Sequence, residues 1–235
     1  MSERLTVHDN NGRNIYDIVI EKDFSRLKDE LLKLNIKEKR VCVVTETTVD
    51  SIYGDGILNI VRETSKEAYK FVFPAGEGSK NLYTVKDLYT FLIANHFDRK
   101  DILIALGGGV VGDLTGYAAA TYLRGIDFIQ VPTTLLAQSD SSVGGKTGVD
   151  FDGYKNMVGA FYQPKLVYMS TDTLKTLTDK EYLSGMGEVV KHGLIRDREF
   201  YNWLKENASD IMNKKDECLQ YMAKTNCYIK RAVVE

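Results

Sequence analysis

The chain has 235 residues, with 31 Lys and Arg against 33 Asp and Glu, a formal net charge of −2. At roughly 100–200 residues per domain, that length holds one large domain, or one domain and part of a second. Hydrophobic residues make up 43% and there are only three prolines, which argues against disorder, and the near-neutral charge argues against a dedicated nucleic-acid binder. The three cysteines, Cys42, Cys218 and Cys227, form no CxxC pair, as suits a reducing compartment. The three histidines, His8, His96 and His192, are too few for a self-contained His-rich metal site. The N-terminus lacks the basic start and apolar run of a signal peptide, so a soluble cytoplasmic protein is expected.

In chain order, Tyr16–Ile20 reads as a strand and 24–34 as a helix with apolar residues at helical spacing. The run RVCVV from Arg40 has the continuous apolar character of a strand covered on both faces. Ala68–Phe73 is a further strand stopped by Pro74, and 82–93 an amphipathic helix. Ile102–Leu106, Phe128–Val131 and Leu166–Met169 complete the strands. The 22 residues from Ile102 to Leu123 are long enough to span a bilayer, but five glycines and Asp113 make a buried strand, glycine loop and helix the better reading. Strands alternating with helices predict an α/β fold, a Rossmann-like, mostly parallel sheet over 1–179. From Lys180 the pattern is helical, notably 197–208 and 214–234, and is still running at Glu235. The 180–235 segment therefore reads as the start of an all-helical domain, in a chain cut inside that domain.

Gly107, Gly109 and Gly112 satisfy GxGxxG between a strand and a helix, where missing side chains let backbone N–H groups approach a pyrophosphate. The motif lies about a hundred residues into the chain, whereas a dinucleotide fingerprint usually sits in the first βαβ unit. A tight, closely packed turn explains the glycines equally well, and both readings stay open. Glu46 and Glu77 follow strands, where ligands of open α/β sheets collect and where a carboxylate can accept from a ribose. The competing reading for these segments is helix capping by Thr47 and Ser79.

Residues 133–150, TTLLAQSDSSVGGKTGVD, form the densest polar cluster in the chain. Such a run is poor core material and suits the cradling of an anion. Gly145-Lys146-Thr147 looks like the end of a P-loop, but Asp140 stands where GxxxxGK[ST] needs its first glycine, so a nucleoside triphosphatase is disfavoured. Lys146 and Lys155 remain as two cations beside a strand end. Further on, Glu188 and Lys191 stand i, i+3 on one helical face, as a surface ion pair or with Glu188 as an oxygen ligand to a divalent metal. His192 lies about 100° round the helix from Lys191, so the two are not expected to serve one small site.

Four long segments in order, GGGVVGDLTGYAAATYLRGI (107–126), VPTTLLAQSDSSVGGKTGVD (131–150), YKNMVGAFYQPK (154–165) and GMGEVVKHGLI (185–195), with the weaker GEGSK (76–80), carry a close resemblance to the 3-dehydroquinate synthase family of sugar-phosphate cyclases. The resemblance implies an NAD-binding α/β domain followed by a helical domain, with the active site between them. It implies that Glu46, Glu77, Lys80, Gly108, Gly109, Val110, Gly112, Asp113, Thr133 and Thr134 surround NAD, completed by Thr173, Leu174, Lys175 and Thr176. Asp140, Lys146, Asn156 and Lys191 would face the substrate, Lys146 and Lys155 would lie at the cofactor boundary, and Glu188 would ligate a divalent metal, zinc or cobalt. Arg124 matches an arginine that reaches a neighbouring subunit, which implies a homodimer.

The sequence departs from the family at Glu46, where Asp is frequent, and at Asp150, where Asn is usual and no consequence is evident. The family's two histidine metal ligands and further basic substrate contacts are expected beyond Glu235, and His192 is not one of them. The implied reaction converts 3-deoxy-D-arabino-heptulosonate 7-phosphate to 3-dehydroquinate and phosphate, in the shikimate pathway of aromatic amino acid biosynthesis. Competing readings are a related cyclase, a metal-dependent polyol dehydrogenase (which has no use for the lysine-rich block) and a catalytically inactive NAD-binding module.

Overall fold

The structure, a computed structural model, describes residues 2–9 and 11–235. Its first half runs β1 (Glu3–His8), β2 (Asn14–Glu21), α1 (Leu27–Lys33), β3 (Arg40–Glu46) and a helix made of α2 (Thr47–Val49), a π-helical stretch (Asp50–Gly54) and α3 (Asp55–Arg62). Then come β4 (Glu67–Phe73), α4 (Leu82–Ala94), β5 (Ile102–Gly107), α5 (Gly109–Thr121) and β6 (Asp127–Pro132). A hairpin of β7 (Lys146–Phe151) and β8 (Tyr154–Phe161) precedes β9 (Leu166–Ser170). The chain ends in α6 (Asp179–Arg196), α7 (Arg198–Glu206), α8 (Ala208–Met212) and α9 (Asp216–Val234).

Seven strands form one sheet in the order β1-β2-β9-β6-β5-β3-β4, parallel throughout except for the antiparallel edge pair β1–β2. The strands read as continuous apolar runs because both faces are covered. Val41, Val43, Ile102 and Ile104 pack with Leu31, Ile57 and Val61 under α1 and α3. Their neighbours Cys42, Val44, Leu103 and Ala105 point the other way, into a core with Leu88 of α4 and Leu114 and Ala118 of α5. The stretch 102–123 is thus β5, the glycine turn and α5, and among the described residues no helix is long and apolar enough to cross a membrane.

Each strand foreseen from apolar patterning is present, with ends moved by one or two residues. Two elements were not foreseen. β1 alternates polar and apolar residues from Arg4 to His8 at the sheet edge, and the β7–β8 hairpin is made from the end of the polar block and the residues after it. That block is not the loose cradle its composition suggested: Gln138, Ser139, Ser142, Thr147 and Val149 are all buried. Consecutive glycines with positive φ, Gly144 (108°) and Gly145 (67°), turn the chain into β7. A Cβ on Gly145 would stand 2.6 Å from the Gln163 side chain.

The helical segment has its own apolar cluster, in which Tyr182, Val189, Phe200, Leu204, Leu219 and Met222 come from α6, α7 and α9. It is also fused to the sheet, since Ala223 and Cys227 of α9 pack with Leu5, Ile18, Ile20 and Met169 of β1, β2 and β9. Thr178 opens α6 with a capping box: its hydroxyl accepts from the Glu181 N–H, and the Glu181 carboxylate accepts from the Thr178 N–H.

Candidate active site

Parallel strands put all their carboxyl ends on one edge of the sheet. The connection after β3 runs outward to β4, and the one after β5 runs the opposite way to β6, so the topological switch point lies between β3 and β5, the usual crevice for ligands in such sheets. Glu46 ends β3, Gly107 ends β5, Thr133 and Thr134 follow β6, and Thr173–Thr176 follow β9. These cofactor-side residues therefore share one edge, while Lys146 and Lys155 lie on the β7–β8 hairpin.

At its centre, Gly108 is the N-cap of α5 and offers no side chain to the first-turn N–H groups, which leaves them available to an anion. A Cβ on Gly108 would come within 2.9 Å of the Thr134 methyl, so glycine is also required by packing. The tight packing expected of the glycine loop is present, and the same turn leaves the α5 terminus without a side-chain cap. The buried Thr133 hydroxyl beside it has no hydrogen-bond partner, and its N–H donates to the Gly107 carbonyl at 3.0 Å. A bare helix terminus, a side-chain-free approach and an orphaned hydroxyl fit a pyrophosphate-containing cofactor.

The caps differ from expectation. Glu46, not Thr47, caps α2, accepting from the N–H groups of Thr48 (2.7 Å) and Val49 (2.9 Å). Asn81, not Ser79, caps α4, while Ser79 donates to the Pro74 carbonyl. Gln130, on β6, lies 3.2 Å from where a Gly112 Cβ would be. The Leu174 side chain belongs to the helical core, Lys175 pairs with Asp172 and Asp216, and the Thr176 hydroxyl meets the Tyr53 hydroxyl at 2.7 Å.

A buried polar knot joins this edge to the hairpin. Lys80, 5% exposed, donates from Nζ to Asp113 Oδ2 and to Asn156 Oδ1, each at 2.6 Å. Burial pushes the Asp113 carboxyl above its usual range, and the Lys80 charge opposes that shift. The Lys80 carbonyl accepts the Asp150 N–H at 2.8 Å, and Asp150 Oδ1 accepts the Asn156 N–H at 2.8 Å. Asp150 thus has a structural role its sequence context did not reveal: it holds Asn156, at a positive φ of 55°, over the site. Lys155 is exposed and pairs with Glu77 at 3.1 Å.

Between hairpin and helices lies a cavity of about 530 Å³ lined by Asp113, Asp140, Lys146, Asn156 and Lys230. Lys230, on α9, was not singled out in the sequence; it pairs directly with Asp140. Helical spacing on α9 marks only its apolar stripe, so no local signal identifies this lysine. Asp140 also connects to α6, because its carboxylate, that of Glu188 and a ring nitrogen of His192 all lie within 4.8 Å of one another.

On α6, Lys191 pairs with Glu188 Oε1, and His192 Nε2 lies 3.3 Å from the same oxygen. This corrects the expectation that Lys191 and His192 serve separate sites. Residues i+3 and i+4 flank residue i on a helix, so both reach Glu188 although they diverge from each other. Carboxylate oxygens and an imidazole nitrogen are a donor set suited to a zinc-like divalent ion. Arg124 is exposed at the far end of α5, about 20 Å from Gly108 at 1.5 Å per residue, and does not reach the cavity.

Known proteins resemble this chain in sequence and in fold. A family model for the 3-dehydroquinate synthase N-terminal region matches residues 70–184, and one for its C-terminal region matches 185–235. The 3-dehydroquinate synthase of Acetivibrio thermocellus is 52% identical over 220 residues, covering 94% of this chain and 61% of that protein. That of Saccharophagus degradans is 47% identical over 229 residues, covering 97% and 63%. The chain therefore spans about three fifths of the length of the curated relatives it matches. Among solved structures, 2-epi-5-epi-valiolone synthase from Streptomyces hygroscopicus, with NAD+ and Zn2+ bound, superposes with a TM-score of 0.82 at 26% identity, covering 92% of this chain and 60% of that one. A 2-deoxy-scyllo-inosose synthase shares the fold at a TM-score of 0.74 and 24% identity, covering 94% and 64%. With the two family models matched in succession over residues 70–235, the chain belongs to the 3-dehydroquinate synthase family.

Proposed function

We propose that the protein carries out the 3-dehydroquinate synthase reaction, turning 3-deoxy-D-arabino-heptulosonate 7-phosphate into 3-dehydroquinate and phosphate. The observation that carries this reading is the convergence of Lys146, Asn156, Lys230 and Asp140 on one cavity next to the bare N-terminus of α5. A phosphorylated, hydroxyl-rich substrate needs such a mixture of cations and hydrogen-bonding groups, whereas a simple alcohol does not.

In this proposal the sheet edge from Glu46 to Gly108–Val110 and Thr133–Thr134 would hold NAD, which would supply transient oxidation of one secondary alcohol. Glu188 would hold a divalent metal, zinc or cobalt, which would supply polarisation of the hydroxyl being oxidised. Lys146 and Asn156 hold the phosphate, and Asp140, paired with Lys230, orients a substrate hydroxyl. Lys191 lies beside Glu188 and takes up a substrate oxygen when it leaves that carboxylate. The knot of Lys80, Asp113 and Asn156 fixes the phosphate-facing hairpin against the cofactor edge, and holding a flexible substrate in one pose supplies much of the rate.

We further place the domain boundary near 179/180, a cytoplasmic location, and a homodimer in which Arg124 reaches the neighbouring subunit's site. The test is simultaneous measurement of inorganic phosphate and NADH absorbance with the heptulosonate phosphate. Phosphate release without NADH accumulation is expected. Steady NADH build-up would mean a dehydrogenase, and NAD binding with no phosphate release would mean a binding module.

A further inference from the structure

The β7–β8 hairpin is irregular at one place. Val149 pairs with Val158 and Phe151 with Tyr154, so a single residue of β7, Asp150, stands opposite three of β8, Lys155, Asn156 and Met157. Extra residues on one strand make a β-bulge, which is left out of the ladder, bends the strand and re-aims its side chains. Within the bulge Asn156 takes a φ of 55°, a left-handed conformation that asparagine enters more readily than most residues. Asp150 stands in for a missing ladder partner. Its Oδ1 accepts the Asn156 N–H at 2.8 Å, and its own N–H donates to the Lys80 carbonyl at 2.8 Å.

A second contact aims the Asn156 side chain. Lys80 Nζ, which can only donate, lies 2.6 Å from Asn156 Oδ1. The amide oxygen is thereby taken, and its two Nδ2 donors are what Asn156 has left for the cavity it lines. That orientation suits the ionised oxygens of a phosphate, whereas a reversed amide would turn a carbonyl oxygen toward them. Asp150 does not itself line the cavity, so it acts on a bound phosphate only through Asn156.

We propose that Asp150 is a positioning residue for the phosphate end of the substrate: its carboxylate oxygen pins the β8 bulge so that Asn156, turned by Lys80, presents N–H donors to a phosphate oxygen. The proposal rests on the reading of Asn156 as a phosphate contact and adds the residue that fixes its place. The contact uses one side-chain oxygen and not the charge. Asparagine, usual at this position in the family, carries the same oxygen, so the departure at Asp150 preserves the contact.

The probe is inorganic phosphate, titrated into the protein and followed by 15N–1H NMR at the Asn156 side-chain NH2, with KM for the heptulosonate phosphate measured in parallel. In the unsubstituted protein that signal moves as phosphate is added. Asp150→Ala weakens phosphate binding and raises KM roughly three- to tenfold, the effect of about one lost hydrogen bond, while kcat changes much less. Asp150→Asn keeps the acceptor and stays within about twofold of the unsubstituted protein. In an Asn156→Ala background, Asp150→Ala adds less than about twofold, because the group it positions is gone. An equal loss in both backgrounds, or a loss in Asp150→Asn as large as in Asp150→Ala, means that Asp150 serves the fold alone and overturns the proposal. Should Asp150→Ala not fold, the unsubstituted protein and Asp150→Asn still decide: an Asn156 signal that phosphate moves in both supports the proposal, and one that it moves in neither overturns it. Phosphate release from the substrate with an unmoved Asn156 signal leaves the proposed reaction standing and the positioning role refuted. A moved signal without any phosphate release does the reverse.

Discussion

Replacing Lys80 with methionine isolates the polar knot at the centre of the site. The Lys80–Asp113 pair is 2.6 Å long, with side chains only 6% and 19% exposed. Removing the lysine leaves a largely buried carboxylate with no counter-charge, a change that costs about 3–5 kcal/mol in buried pairs. Because the Asp113 carboxyl retains some solvent contact, the lower end, about 3 kcal/mol, applies. In a chain of this size, 1 kcal/mol corresponds to roughly 2–4 °C in Tm, so Lys80→Met is expected to melt about 6–12 °C lower at pH 7. The pH dependence has a definite sign. Burial already raises the Asp113 pKa above its unfolded value, so its contribution favours the folded state most at low pH and is lost as pH rises through the folded pKa. Without Lys80 the folded pKa rises further, and the deficit of Lys80→Met therefore shrinks on acidification from pH 7 toward pH 5. The assay is urea unfolding at both pH values for Lys80→Met, Asp113→Asn and the double variant. If the Lys80→Met deficit is the same with Asp113→Asn present, or is unchanged between the two pH values, the carboxylate is not its source and the reasoning fails.

Gly116→Val should destabilise by about 1–3 kcal/mol through overpacking, because even a Cβ there would meet the Thr147 methyl at 2.4 Å and Phe128 at 3.2 Å; urea midpoints test this. Lys146→Ala should raise KM for the phosphorylated substrate at least tenfold while weakening NAD binding by calorimetry much less, and an equal loss of both would remove Lys146 from the phosphate site. Burial pushes the Cys227 thiol up to about 12 and the Cys42 thiol higher still, so neither should react with a disulfide reagent at pH 8 until the protein unfolds.

The sheet was legible because its strands are covered on both faces, which leaves unbroken apolar runs such as RVCVV and ILIAL that nothing else in a chain of this composition explains. β1 was not, since Glu3 and Arg4 break its apolar pattern and only pairing with β2 defines it. The polar block misled for a related reason. Gln138 is completely buried, with its Nε2 donating to the Pro132 and Ser170 carbonyls and to the Thr173 hydroxyl at the ends of β6 and β9, while its Oε1 has no partner. A side chain whose bonding depends on distant backbone reads from sequence as surface polarity. Lys230 escaped notice likewise, as its partner Asp140 is 90 residues away, and the contact of His192 with Asn226, 34 residues on, was hidden in the same way.

These long-range partners also explain how the site is kept in register. Lys80 binds the hairpin twice, through its carbonyl to Asp150 and through its ammonium to Asn156, and binds α5 once through Asp113. Lys230 and Asn226 tie α9 to Asp140 and His192 at the opposite wall, and α9 is in turn packed on β1, β2 and β9 by Ala223 and Cys227. The groups facing the cavity therefore come from the seven-stranded sheet's own helices and from a hairpin packed on α5, and each is tied to that sheet directly or through α5. A displacement of a cavity group has to be transmitted through a buried charge pair or a packed helix. Preorganisation of this kind costs little at the moment of reaction, because the ordering is already supplied by folding.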